Sequence, residues 1–92
     1  MSVYVDDGKN PYGRMIMCHM QADTREELDA MADKIGVQRK WIQFPGTWKE
    51  HYDICKSKKQ QAVQLGAIEI GSREFVKMML KRREEKQRAL PI

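Results

Sequence analysis

Long apolar runs are missing from this chain. Nothing approaches the roughly 20 apolar residues that a membrane-spanning helix needs. The opening MSVYVDDGKN carries two acids and no apolar region of the kind a secretory leader requires. The sequence therefore reads as a chain with no membrane partner, expected in the cytoplasm. Cysteine is scarce: Cys18 and Cys55 are the whole complement, far apart and without a CxxC spacing. That excludes a disulfide scaffold and a cysteine-based zinc site, and it matches usage in a reducing compartment. Nucleophile elbow, Walker loop, dinucleotide glycine pattern, internal repeat and low-complexity segment are all absent. Histidine is equally rare, with only His19 and His51.

Acidic residues are concentrated at one end. The net charge is +4, yet residues 1–33 hold three Lys or Arg against seven Asp or Glu. Residues 34–72 and residues 73–92 each hold seven basic and three acidic groups. This is not a uniform nucleic-acid-binding coat. It suits a positive surface beside a carboxylate-rich pocket, or complementary surfaces that pair between copies in a homo-oligomer.

The 92 residues make one small domain, 1–92, organised around the stretch from Gly13 to Val37. Met15 to Met20 is short and almost wholly apolar, as in a strand buried on both faces. Thr24 with Glu27 three residues on forms a capping-box pattern. Leu28, Met31, Ala32 and Ile35 then share one helical face, and Gly36 follows as a stop. His19 and Asp23 are thus expected at a strand end and in the turn before a helix, where open α/β sheets bind ligands.

Val3 to Asp7 reads as an earlier strand ending in two carboxylates. Such acids suit a divalent metal (magnesium, manganese or zinc), although Asp7-Gly8 is also an ordinary turn. Val37 to Phe44 is expected to be extended, with neither face purely apolar, and Pro45-Gly46 ends it. Residues 45–53 then form a loop carrying Trp48, His51, Tyr52 and Asp53. Ser57 is expected to cap a second helix, Ala67 to Ile70 to form a last strand, and Phe75, Val76, Met79 and Leu80 to stripe a final helix. In the basic tail 81–92 the run KRREEKQR is polar all round and expected to fray. The fold class is α/β: a three-to-four-stranded sheet with about three helices, in the order β-β-α-β-α-β-α.

The leading constellation is His19, Asp23, His51 and Asp53, joined by Asp6 or Asp7. Two imidazoles and several carboxylates can bind a metal or act as an acid/base pair on a phosphate. The plain alternative is loop bracing by hydrogen bonds. Ser57, Lys58 and Lys59 at a helix N-terminus offer a phosphate site, against the alternative of a solvated lysine pair. The basic final helix could follow a nucleic-acid backbone, but Glu84 and Glu85 blunt its field. Trp41 and Trp48 could stack on bases, or serve core and loop packing.

VYVDD, the segment GRMIMCHMQADTREELDAMADKIGV, Trp41, HYDI and Gly66-Ala67 together resemble a bacterial and phage family known as domain of unknown function 4031. The resemblance covers roughly residues 3 to 70. It implies that Asp6, Asp7, His19, Asp23, His51, Tyr52 and Asp53 are recurring polar positions of one site, in a phage or bacterial protein acting in the (host) cytoplasm. The resemblance also implies that a histidine often follows the Glu-Leu pair; this chain has Asp29 there, which argues against a third imidazole in the site. No reaction comes with the resemblance. The expected function is a His/Asp pocket for a phosphate-bearing ligand, a nucleotide or nucleic-acid end. Asp6, Asp7 and Asp53 would hold a metal, His19, His51 and Asp53 would act in catalysis, and Asp23, Tyr52, Ser57 and Lys58 would contact the ligand. The alternatives are a non-catalytic module that sequesters a small molecule or blocks a host protein, and nucleic-acid binding through the final helix.

Overall fold

The computed structural model describes residues 2–89. The strands are β1 (Val3–Asp6), β2 (Asn10–Tyr12), β3 (Met15–Ala22), β4 (Tyr52–Cys55) and β5 (Ile68–Ile70). The helices are α1 (Arg25–Ile35), α2 (Lys56–Gln64) and α3 (Ser72–Ala89). With the three-residue β2 set aside, the order is the expected β-β-α-β-α-β-α. Counting it, the sheet has five strands. β3 is the centre: β1 and β2 pair antiparallel along it, β4 pairs antiparallel with it, and β5 runs parallel beside β1. α3 is helical to Ala89, and residues 90–92 of the expected tail lie outside the described residues.

The third strand is displaced from its expected place. Val37 to Phe44 is not a strand but contains a 3₁₀ turn, Arg39–Trp41. Its apolar residues do not alternate, so a sheet would bury Arg39 or Lys40. Instead Val37 and Ile42 pack against the rim of the core, and Arg39 grips Asp33 through Nε and Nη2 at 3.2 and 2.8 Å. The strand forms at Tyr52–Cys55, inside the expected loop, where Tyr52 and Ile54 point inward and Asp53 and Cys55 outward. Four residues are too few to show that period clearly in sequence.

α1 and α2 cover one face of the sheet. Val5, Met20, Leu28, Ile35, Tyr52 and Ile54 are sealed there, and each such apolar side chain stabilises the fold by about 1.5–3 kcal/mol. The start of α1 follows the expected box: Thr24 Oγ1 accepts from Glu27 N at 3.2 Å and donates to Glu27 Oε1 at 3.0 Å. Gly36 ends it in the left-handed region at φ 77°, where a Cβ would be strained. α2 begins earlier than expected. Its N-cap is Cys55 without a side-chain cap, which leaves Ser57 in the first turn. α3 lies on the opposite face, and Asp7 holds its start by accepting from Ser72 N and Oγ at 2.9 and 2.7 Å.

Candidate metal centre and its cleft

On the face opposite the core, the strands set their polar residues in one row. His19 is the register partner of Asp53 on β4, and Val5 opposite Met20 brings Asp6 beside His19 on the other side. His19 thus sits within β3 rather than at its end, because Gln21 and Ala22 still pair with Tyr4 and Val3. Asp6 is 4% exposed and accepts from His19 N at 2.9 Å and Gly8 N at 3.2 Å, while its Oδ2 meets His19 Nδ1 at 2.7 Å. Burial pushes the Asp6 carboxyl up, but these hydrogen bonds and the charge of His19 outweigh it, leaving Asp6 below its usual range. The same bond raises His19, against the effect of its partial burial.

His51 arrives from the loop between α1 and β4. Gln43 and His51 form a two-way backbone bridge, N–H to O at 2.8 and 3.2 Å. Gln21 Nε2 donates to the carbonyls of Trp48 and Glu50, both at 3.1 Å, and ties the loop to the sheet. Phe44, in the loop, sits at φ 50°, a conformation non-glycine residues adopt at a cost of about 1–3 kcal/mol. The bridge beside it holds the backbone there. His51 Nδ1 faces the carbonyl of Lys49, so that nitrogen carries the proton.

Both rings therefore have Nδ1 committed, His19 to a carboxylate and His51 to a carbonyl. Their Nε2 atoms face Asp53, whose Oδ1 lies 3.7 Å from His19 Nε2 and 3.3 Å from His51 Nε2. The rings meet edge to face with centroids 5.1 Å apart, and one ligand atom from each of the three residues falls within 4.8 Å of the others. For bonds near 2.0–2.1 Å, a tetrahedral cation places its ligand atoms about 3.3 Å apart. One edge of the triangle already has that length. Two imidazoles and one carboxylate with the other positions open suit zinc, manganese or iron(II).

His19 and Asp53 also line a cleft of about 690 Å³ that runs past Met17 to Trp41 and Lys58. The Lys58 ammonium lies at the C-terminus of α1, where a Cβ on Gly36 would meet it at 3.2 Å. The other side of His19 is closed by Phe75 of α3, ring centroids 6.0 Å apart and Phe75 3% exposed.

The remaining candidate residues lie elsewhere. Asp23 is in a separate depression, accepting from Ser2 N at 2.8 Å and pairing with Arg82 at 3.3 Å. Asp7 caps α3 and is held below its usual range by the Ser72 hydroxyl and N–H. Tyr52 is wholly buried on the core side, and its hydroxyl donates to Asp29 at 2.7 Å. Burial first, and then that bond, push its phenol well above the ordinary value. Ser57 Oγ contacts Cys55 Sγ at 3.2 Å. On α3, Arg82 is taken up by Asp23 and Arg83 stacks over Trp48 at 5.6 Å, so the two are turned to the protein's own surface. Three contributors escaped the sequence reading: the Lys49 carbonyl, Gln21 and Phe75. A backbone acceptor leaves no mark in sequence, and the only signal for Gln21 was its place two residues from His19 on the same strand face.

The fold and this cluster define a small α/β protein with a His/Asp site on the face of its sheet opposite the core. The chain belongs to the family described as protein of unknown function (DUF4031), which matches residues 3–82. No significant match was found among curated proteins or among solved structures. Asp29 points to Tyr52 and Arg25 on the core side and is no part of the cluster. No helix among the described residues is long and apolar enough to cross a membrane.

Proposed function

We propose that His19, His51 and Asp53 bind one divalent cation and that the site acts on a phosphate-bearing ligand, a nucleotide or nucleic-acid end, by hydrolysis of a phosphodiester. The observation that carries this reading is the matched pair of Nδ1 bonds. Asp6 and the Lys49 carbonyl each fix a ring so that its free nitrogen faces Asp53, an arrangement typical behind metal-ligating histidines. In this reading Asp6 orients a ligand instead of being one, and the imidazoles bind the cation instead of shuttling protons.

A cation held by His19, His51 and Asp53 would supply a Lewis acid and make a water more acidic. Asp53 has a second carboxylate oxygen free to take the proton from that water. In such a hydrolysis the water oxygen would bond to phosphorus as the ester P–O bond breaks, and Asp53 would pass the water's proton to the departing oxygen. Lys58, along the same cleft, would offset the charge of the phosphate.

The test is direct. Zinc, manganese and magnesium are titrated against the full chain and against His51→Ala, and turnover of bis(p-nitrophenyl) phosphate and of end-labelled oligonucleotides is followed with and without chelator. The expected result is one tight cation per chain, weakened at least tenfold in His51→Ala, with turnover abolished by chelation. Wild-type chain that binds no cation, or His51→Ala that binds it as well, would refute the metal site. Tight binding with the nucleotide recovered intact would favour the sequestering module instead.

A further inference from the structure

We infer that Trp41 is a stacking platform for a nucleotide base, so that the ligand of the metal site is a nucleotide unit, free or at a strand end, and not a sugar phosphate or inorganic phosphate. The inference rests on the phosphate-ligand reading above and specifies its substrate class.

Trp41 was a candidate for core packing, yet 58% of it is exposed. The reason is local. Val37 before it and Ile42 after it turn toward the core, and Arg39 is locked to Asp33, so the short 3₁₀ turn presents its last residue outward. The indole projects from this turn and lines the same cleft as His19 and Asp53. Lys40 lies over the ring at 5.1 Å, which puts a cation at the platform itself.

Pro11, Met15, Met17 and Val37 give the cleft an apolar surface, beside the amides of Gln38 and Gln43. A bare phosphate or a phosphorylated sugar would leave that surface uncovered; a flat heteroaromatic ring covers it. The charge pattern agrees. Among the described residues lining the cleft, Asp53 is the one carboxylate, and the proposed cation would neutralise it, while Lys58 remains to meet phosphate oxygens. A volume of about 690 Å³ falls in the range typical of small-ligand sites.

The experiment uses the full chain with one equivalent of zinc. Adenosine 5′-monophosphate, ribose 5-phosphate and a short 5′-phosphorylated oligonucleotide are titrated by calorimetry into wild type, Trp41→Ala and Trp41→Phe. Stacking on an aromatic residue predicts that Trp41→Ala loses roughly 5- to 100-fold in affinity for the monophosphate, that Trp41→Phe recovers most of it, and that ribose 5-phosphate binds weakly to all three. Equal affinity for the monophosphate and the oligonucleotide identifies a free nucleotide as the ligand. Tighter binding of the oligonucleotide identifies a strand end. The inference falls if ribose 5-phosphate matches the monophosphate, or if Trp41→Ala binds the monophosphate as wild type does. Zinc affinity, measured without nucleotide, separates the two readings: zinc bound with no dependence on Trp41 removes the platform alone. Nucleotide binding that needs Trp41 in a chain with no affinity for zinc removes the metal centre alone.

Discussion

Replacing Asp6 with asparagine tests whether the site is built through its hydrogen bonds. The two side chains have nearly the same shape. Asparagine keeps one oxygen, which can go on accepting from the backbone N–H groups of His19 and Gly8 now held at 2.9 and 3.2 Å. What changes is the atom facing His19 Nδ1 at 2.7 Å, where a carboxylate oxygen becomes an amide NH₂. Two donors cannot face each other, so the His19 proton moves to Nε2 and Nδ1 becomes the acceptor. The Nε2 lone pair that a cation would need is then gone.

Loss of such an outer partner costs about 10- to 100-fold in metal affinity, which corresponds to about 1.4–2.8 kcal/mol. Stability should fall by only about 1 kcal/mol, because no backbone donor is orphaned. Asp6→Ala is the contrasting variant. It strands two backbone donors in a buried place, at about 1–3 kcal/mol each, and should visibly lower the melting temperature. The assay is zinc competition with a chromophoric chelator, paired with long-range nitrogen NMR that reports which ring nitrogen is protonated. Zinc affinity in Asp6→Asn within twofold of wild type, with His19 Nε2 still unprotonated, would refute the reasoning.

Three further outcomes follow from the same contacts. Tyr52→Phe removes a buried hydrogen bond to the Asp29 carboxylate and should cost about 1.5–3 kcal/mol in urea unfolding while leaving zinc affinity unchanged; loss of zinc affinity at full stability would place Tyr52 in the site after all. Gln21→Leu frees the carbonyls of Trp48 and Glu50, so the loop carrying His51 should exchange its amides faster and zinc affinity should drop at least severalfold; unchanged exchange would show that the Gln43–His51 bridge suffices. Native protein should present one thiol to Ellman's reagent, Cys55, because Cys18 is 2% exposed; equal rates for both thiols would contradict the packing of β3.

What was legible in the sequence followed from local chemistry. Thr24, Glu27 and Gly36 marked α1 at both ends because caps are side-chain events within a few residues. The grouping of His19, His51 and Asp53 was suggested by composition, since the chain's only two histidines each lie near an aspartate at an expected element boundary. Val37 to Phe44 misled because aromatic and branched residues suggest a strand, while the rim of the core needed only Val37 and Ile42. Asp6 and Asp7 looked equivalent, but alternation turns them apart: one faces His19, the other reaches Ser72 at the start of α3. Tyr52 looked like a site residue beside His51 and Asp53, and the same alternation buries it on the far side of the sheet.

That alternation also explains why the core and the chemistry cannot be separated here. Side chains on a strand change face at every residue, so a slip of β4 by one position would turn Asp53 into the core and bring Ile54 beside His19. Such a slip is blocked by the burial of Tyr52 and Ile54, which are 0% and 1% exposed. Two apolar side chains on one face thus fix the position of a carboxylate on the other. Asp6 and His19 gain the same protection from Val5 and Met20, both fully buried. Three members of the row inherit their spacing from the sheet, and only His51 depends on a loop. The shorter contact, 3.3 Å, is the one made by that loop residue, while the 3.7 Å contact spans two strands of fixed register. A cation would therefore close the triangle by rotating side chains on an unmoved sheet, and cation affinity should fall when the loop is loosened well before the fold itself gives way.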